Sequence, residues 1–314
     1  MASIEPSTEP VIHLSRLTKQ FGAFTAVKDL SFRVEKGEIY GFLGQNGAGK
    51  TTTLRMLMDI VPPTEGKLRV LGAPRPRTVK RRVGYLPEER GLYRKMRAKD
   101  TIAYFARLKG MPGGKAKRRA ADLLERFGLE AFAKSKIETL SKGMAQKVQL
   151  LSCIAHQPEL VILDEPFSGL DPVNQQVLED MILEMRQGGR TIIFSTHIME
   201  HAERLCDRFL MIHKGEKVFE GTLDEARASG DTTLILQTPD DPLPLLNLPM
   251  VTDIIAGDQG RYILVVAQGA DRQPILRACL DQNIQVEFFG EERPSLHDIF
   301  FRLAGADQIG GASV

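Results

Sequence analysis

Gly44-Gln45-Asn46-Gly47-Ala48-Gly49-Lys50-Thr51 is flanked by two patterns that give it meaning. Before it, Glu38-Ile39-Tyr40-Gly41-Phe42-Leu43 is a short apolar run of buried-strand type. After it, Leu54, Leu57, Met58 and Val61 recur at helical spacing, predicting a helix over 52–61 that Pro62-Pro63 stops. Strand, glycine-rich loop and helix together form the setting of a phosphate-binding loop. Glycines are needed there because backbone N–H groups must wrap closely around phosphate oxygens, where a Cβ would obstruct the approach. The helix start adds unpaired donors and the positive end of a dipole. Gly44, Asn46, Gly47, Gly49, Lys50, Thr51 and Thr52 are therefore the candidate phosphate ligands. Lys50 is expected to neutralise β- and γ-phosphates, and the Thr51 hydroxyl to ligate Mg²⁺.

Further along, Leu160-Val161-Ile162-Leu163-Asp164-Glu165 reads as a buried strand ending in two carboxylates. In a chain with a phosphate loop, Asp164 is suited to hold Mg²⁺ through water and Glu165 to activate an attacking water. Leu140-Ser141-Lys142-Gly143-Met144 opens a helix whose Met144, Val148, Leu151 and Ala155 share one face. Ser141 suits its N-cap. That capping role explains the serine by itself, yet a Ser/Gly helix start is also an anion site. The phosphate loop already gives the nucleotide one helix start, so this second one is free to serve another protomer's nucleotide.

The whole chain sets the frame. Its 314 residues are enough for about two domains. A net charge of +2 is too mild to argue for nucleic acid, and the basic stretch 73–82 lacks the interleaved aromatics of a stacking platform. That stretch reads as a solvated connector, Lys115–Arg119 as a solvent face, and no nucleic-acid partner is expected. Three scattered cysteines indicate neither a disulfide framework nor a metal site, so a reduced, cytoplasmic setting is expected. The polar, acidic residues 1–10 do not fit a secretory signal, and no apolar run approaches the roughly 20 residues of a membrane helix. Strands at 11–14, 30–34, 67–72, 160–163 and 191–195, with helical patterns over 97–158, predict an α/β domain with a mainly parallel sheet. The texture changes at 226–230. Strands at 232–237, 251–255, 261–267 and 285–289, with a helix over 274–282, predict a small α+β domain.

At Ser141 the chain resembles the ATP-binding subunit of ABC transporters, whose signature reads Leu-Ser-Gly-Gly-Gln. Ser141 and Gly143 match; Lys142 and Met144 depart, with Gln146 and Gln149 further along able to restore polarity. Other motifs follow in order. Ser168-Gly169-Leu170-Asp171 resembles the loop along the family's dimer interface, and His197 stands at the switch histidine that meets the γ-phosphate. Phe21 takes the place of the aromatic that stacks on adenine. After Leu86-Pro87 the family has a Gln that senses Mg²⁺ and couples to the permease; here Glu88 stands there, a carboxylate that can ligate Mg²⁺ while adding negative charge near phosphate. The 87–93 string, the 165–172 string and the ending Pro294–Phe300 resemble the branch serving type-2 exporters of sodium or drugs.

The resemblance covers about residues 11–304. It implies an ABC ATPase domain over 11–228, comprising a mainly parallel sheet, an antiparallel β subdomain and a helical subdomain near 97–158. An α+β domain would follow over 229–305, with flexible tails at 1–10 and 306–314. It further implies ATP and Mg²⁺ as cofactors, with Thr51, Asp164 and Glu88 as metal ligands and Glu165, His197 and Lys50 as catalytic residues. ATP would drive head-to-tail homodimerisation, with Ser141, Gly143 and Asp171 completing the opposite site. An integral membrane permease would be the partner, and the cytoplasmic face of the membrane the location. A soluble ABC ATPase acting on ribosomes or nucleic acid is the alternative, against which stand the single phosphate loop and the lack of a heptad run. A small-molecule kinase gives no role to the helix opened by Ser141.

Overall fold

The computed structural model describes residues 9–89, 91–228, 232–257, 260–267, 269–291 and 294–304. The tails expected at 1–10 and 306–314 lie outside them, apart from Glu9 and Pro10, as does 229, where the second domain was expected to begin. The chain divides into two compact units, Met1–Thr222 and Leu223–Val314.

The first unit opens with β1 (Ile12–Phe21), β2 (Phe24–Val34), β3 (Ile39–Leu43), α1 (Lys50–Leu57), β4 (Glu65–Val70) and β5 (Val83–Leu86). Helices α2 (Ala98–Leu108), α3 (Gly113–Arg126) and α4 (Lys142–Ile154) follow, then β6 (Leu160–Asp164), α5 (Pro172–Gln187), β7 (Thr191–Thr196), α6 (Met199–Leu205), β8 (Arg208–His213) and β9 (Glu216–Gly221). An antiparallel sheet has the order β2-β1-β4, and a six-stranded sheet the order β5-β6-β7-β3-β8-β9. The latter is parallel except for the β8–β9 edge pair.

The apolar runs of β3 and β6 are buried at every position because the sheet is covered on both faces. Successive side chains of a strand point to opposite faces. Val161, Leu163, Ile192 and Phe194 accordingly join the core beneath α2, α3 and α4, while Leu160, Ile162, Ile193, Tyr40 and Phe42 join a second core with β1, β2 and α1. Phe32 stacks on Tyr40 with ring centroids 5.5 Å apart, and each such fully buried ring contributes about 1.5–3 kcal/mol.

Helix α1 and strand β4 both stop earlier than expected, each for a backbone reason. Helix α1 ends at Leu57 and does not run to Val61. Asp59 adopts φ 53°, and the amides of Ile60 and Val61 both turn back to Arg55 O, so the helix closes before Pro62 is reached. Strand β4 stops at Val70 because Leu71 (φ 51°) and Gly72 (φ 77°) form a tight turn closed by mutual hydrogen bonds between Val70 and Ala73. The basic connector over 76–82 is a 3-10 turn.

The second unit contains α7 (Leu223–Ala228), β10 (Thr232–Gln237), β11 (Val251–Ala256), β12 (Arg261–Val266), α8 (Gln273–Asp281), β13 (Phe288–Glu291) and α9 (Leu296–Leu303). Its antiparallel sheet has the order β11-β12-β10-β13. The change of texture expected at 226–230 begins inside α7, which packs with α9 within this unit, and its last two residues lie outside the described ones. Ile275 and Cys279 of α8 close the core over Leu234, Leu236 and Leu264. Strand β13 begins later than expected, because the Gln285 amide is turned aside to Asp240 Oδ2. Cys153 and Cys279 are buried, Cys206 is partly so, and all are free thiols; burial pushes Cys153 up to about 12 and raises Cys206 well above the ordinary thiol value.

Candidate functional site

Strands β6, β7 and β3 lie side by side, with Asp164 opposite Ser195 and Leu43 opposite Thr196. Their carboxyl ends therefore deliver the phosphate loop, the two acids and His197 to one edge of the sheet, the position where open α/β sheets bind ligands. Gly49 holds φ 105° immediately before α1, and a Cβ on it would lie 2.5 Å from the Ala26 carbonyl oxygen. Only glycine lets the loop pass so close to β2. Gly47, at φ 80°, supplies the other left-handed turn of the loop.

Lys50 is buried, and its ammonium donates to Gly44 O at 2.7 Å and Gln45 O at 3.2 Å. It also lies 3.2 Å from Glu165 Oε1. Glu165 Oε2 is in turn 2.9 Å from His197 Nδ1, so this carboxylate bridges a cation and an imidazole. Its backbone sits at φ 46°, a conformation costing a non-glycine residue roughly 1–2 kcal/mol. That turn lifts Glu165 out of the strand line. Asp164 Oδ1 accepts hydrogen bonds from Thr51 Oγ1 at 3.1 Å and Ser195 Oγ at 2.7 Å. Burial raises its carboxyl above the ordinary range, against the pull of those two hydroxyls.

Ser195 has a role the motif reading did not give it. Its Oγ accepts from the Glu165 amide at 3.0 Å while donating to Asp164, so one hydroxyl sets both carboxylates. The signal was its place opposite Asp164 in the neighbouring strand, which only the register reveals.

A cavity of 350 Å³ opens over the loop, lined by Asn46, Gly47, Gly49, Lys50, Thr51 and Thr52, with Glu88 and Glu165 on its acidic side. Phe24 also lines it. Phe21 pairs with Phe24 across the β1–β2 turn, half exposed, with the Lys19 ammonium 4.8 Å from its ring centre. Gly44 and Asp164 stand just outside the lining, tied to it through Lys50 and Thr51. Asp164 Oδ2 is buried without a hydrogen-bond partner, a free lone pair beside the Thr51 hydroxyl that suits a divalent cation. Among the described residues no three His, Cys, Asp or Glu side chains are placed to hold a metal by themselves. A cation at Thr51 and Asp164 would take its remaining oxygens from phosphate and water.

Ser141, Gly143 and Asp171 form a separate cluster and do not line this cavity. Ser141 caps α4, accepting from the Met144 amide at 3.3 Å. Asp171 caps α5, accepting from the Asn174 amide at 2.9 Å and from Asn174 Nδ2 at 2.7 Å. The first of these bonds holds the Asp171 carboxyl below the usual range. A Cβ on Gly143 would come within 2.6 Å of the Asn174 side chain, and one on Gly169 would overlap the Lys142 ammonium. The two helix starts are thus pressed together, with Ser141 and Lys142 exposed.

The family model "ABC transporter" matches residues 27–168, and "ATP-binding protein DrrA1-3-like, C-terminal domain" matches 221–304. YhaQ of Bacillus subtilis, an uncharacterized ABC transporter ATP-binding protein, is 38% identical over 94% of this chain and 99% of its own length. The chain belongs to the ABC transporter ATP-binding proteins. As a member of this family it is an ATPase, built on the ABC fold. Nod factor export ATP-binding protein I of Paraburkholderia xenovorans is 34% identical over 95% of this chain and 98% of that protein. A solved structure described as the ATP binding subunit of an ABC transporter superposes with TM-score 0.64 at 34% identity, over 70% of this chain and 92% of that one. The match at 27–168 contains the phosphate loop, Glu88, Ser141, Asp164 and Glu165, while Phe21, Asp171 and His197 lie outside it. No described helix is long and apolar enough to cross a membrane.

Proposed function

We propose that this chain is the ATP-hydrolysing subunit of an exporter, dimerising head to tail on ATP to drive a separate membrane permease. The observation that carries this reading is the division of the site: Lys50, Thr51, Asp164, Glu165 and His197 converge, while Ser141, Gly143 and Asp171 form a cluster of their own. Neither cluster alone surrounds a triphosphate. Two copies arranged head to tail bring the Ser141 hydroxyl and the α4 helix start of one over the phosphates held by the other.

Within each half, Lys50 has a change of partner to make. Its ammonium rests between carbonyl oxygens and Glu165, and a triphosphate in the loop offers it a stronger anionic partner. Drawing Lys50 to phosphate frees Glu165 to accept a proton from water, with His197 steadying the charge that develops on the γ-phosphoryl oxygens. Thr51 and Asp164 would hold Mg²⁺, with Glu88 facing the same cavity, and the cation would supply charge neutralisation. Phe24 and Phe21 offer aromatic faces for the adenine.

For the permease, Pro87, Gly91 and Leu92 border a second cavity of 330 Å³, chiefly apolar, lined also by Tyr85, Phe105, Gln149 and Cys153. An apolar cytoplasmic segment of the permease fits there, beside the residue that replaces the family's coupling glutamine. Subunit location is then peripheral, on the cytoplasmic face. The Nod factor relative and the type-2 exporter likeness favour an amphiphilic cargo, with sodium as the competing one. Transport into vesicles containing both subunits, comparing labelled amphiphiles with Na⁺, decides between them.

The direct test is Glu165→Gln. The variant is expected to bind ATP as the parent does and to accumulate as a dimer by light scattering on ATP addition. Parental ATP hydrolysis in this variant would remove the base assignment, and a persistent monomer would remove the shared site.

A further inference from the structure

Helix α4 carries two buried glutamines three residues apart, and each reaches out of its helix to a loop that borders the nucleotide cavity. Gln146 Nε2 donates to Pro166 O at 3.1 Å, one residue past Glu165. Gln149 Nε2 lies 3.5 Å from Pro87 O and 3.4 Å from Glu89 O, the two carbonyls on either side of Glu88. Both side chains are only 5–6% exposed. A buried amide is costly unless it is bonded, so such a residue is retained for what it holds. Here that is a loop of four described residues, 86–89, with Leu86 at the end of β5 and Glu88 at the cavity.

We propose that Gln149 is a positioning residue for Glu88. Its Nε2, shared between the flanking carbonyls, fixes the turn that aims the Glu88 carboxylate at the nucleotide cavity. Its Oε1 is buried with no hydrogen-bond partner, and Gln149 also lines the apolar cavity on the loop's other side. The amide therefore stands between the apolar cavity, which it lines, and the loop that carries Glu88 to the nucleotide cavity: a group entering the apolar one with an N–H or O–H to offer satisfies Oε1 and steadies the grip on the Glu88 loop. The assignment rests on the reading of Glu88 as facing the nucleotide and its cation. Helix α4 is capped by Ser141, so a push on that helix start reaches Gln149 along a rod about two turns long.

The test uses Gln149→Leu, with Gln149→Met as the length-conserving second variant should the first fail to fold. In the nucleotide-free full chain, amide exchange at 88–92 should rise about tenfold, while 166–170, held by Gln146, stays at the parental rate. ATP turnover should fall about five- to tenfold with a raised half-saturating Mg²⁺, while ATP affinity measured without Mg²⁺ stays within about twofold. In a Glu88→Ala background the Gln149 change should add less than about twofold, because the residue it positions is gone. Parental exchange at 88–92, unaltered Mg²⁺ dependence, or full additivity with Glu88→Ala each overturns the assignment. The proposed function fails on a different result, a Glu165→Gln protein that forms no dimer with ATP.

Discussion

The strand-end cluster around Lys50 and the helix-start cluster around Ser141 are built on opposite principles. In the first, the charged groups are bonded within the chain, Asp164 Oδ2 excepted: Lys50 by Glu165, Glu165 also by His197, Asp164 Oδ1 by Thr51 and Ser195. In the second, Ser141 and Lys142 face solvent, and the internal bonds serve to lock two helix starts together. A self-satisfied cluster can bind and react but needs a stronger ligand to open it. An outward-facing cluster does nothing until something arrives. If two copies combine as proposed, the first cluster acts within one copy and the second only towards its partner.

Changes in the two clusters should therefore leave different signatures. The largest effect is expected from Glu165→Gln, with turnover down by about 100- to 10,000-fold and nucleotide affinity kept. Next, the same Gly→Ala change can be made in both places. Gly49→Ala forces a side chain into a left-handed backbone against Ala26 O and should weaken ATP binding on the order of a hundredfold in titrations. Gly143→Ala pushes Asn174 aside, so ATP binding to the isolated chain should persist while turnover falls about tenfold. If Gly143→Ala also abolished binding, the two clusters would not be separable.

A smaller effect tests which ring meets adenine. Phe24→Ala should cost about 0.5–1.5 kcal/mol of ATP affinity, since Phe24 lines the cavity. A greater loss from Phe21→Ala would return the role to the residue the motif order points to.

The smallest is a pH effect on stability. Burial and the nearby Lys109 lower His156 to about 4 from an ordinary 6.5. Between those values the unfolded chain binds the proton and the folded chain does not, so this contribution is full above pH 6.5 and is lost as pH falls towards 4. The upper bound is about 3 kcal/mol, reduced by the residue's partial exposure. His156→Gln should flatten the decline in melting temperature over that window.

Motifs carried much of this site because their chemistry depends on residues adjacent in sequence. Gly49, Lys50 and Thr51 need only their own loop, and Asp164-Glu165 only the end of one strand. What stayed hidden depends on register or on backbone turns. Ser195 acts on the acids because β6 and β7 pair in one register, and no local pattern states which strands are neighbours. The motif order points to Phe21 alone, and only the hairpin turn shows Phe24 opposite it. The α1 stop lay in Asp59's left-handed backbone, while the visible prolines came too late to matter. The alternation of β6 between two cores was invisible because a strand covered on both faces reads as one apolar run.

The buried thiols have a practical consequence. A maleimide or spin label reacts through the thiolate, and burial holds Cys153 near 12 and Cys206 well above its ordinary value, while Cys279 is closed inside the second unit's core. Cys153 and Cys279, both buried, should therefore react slowly with thiol reagents at neutral pH, and partly buried Cys206 is the native thiol to check first. A reporter cysteine introduced at exposed Lys142 could be read against that background once labelling of the parent chain has been measured. Distances between two such probes, measured with and without ATP, would test the proposed head-to-tail pairing directly.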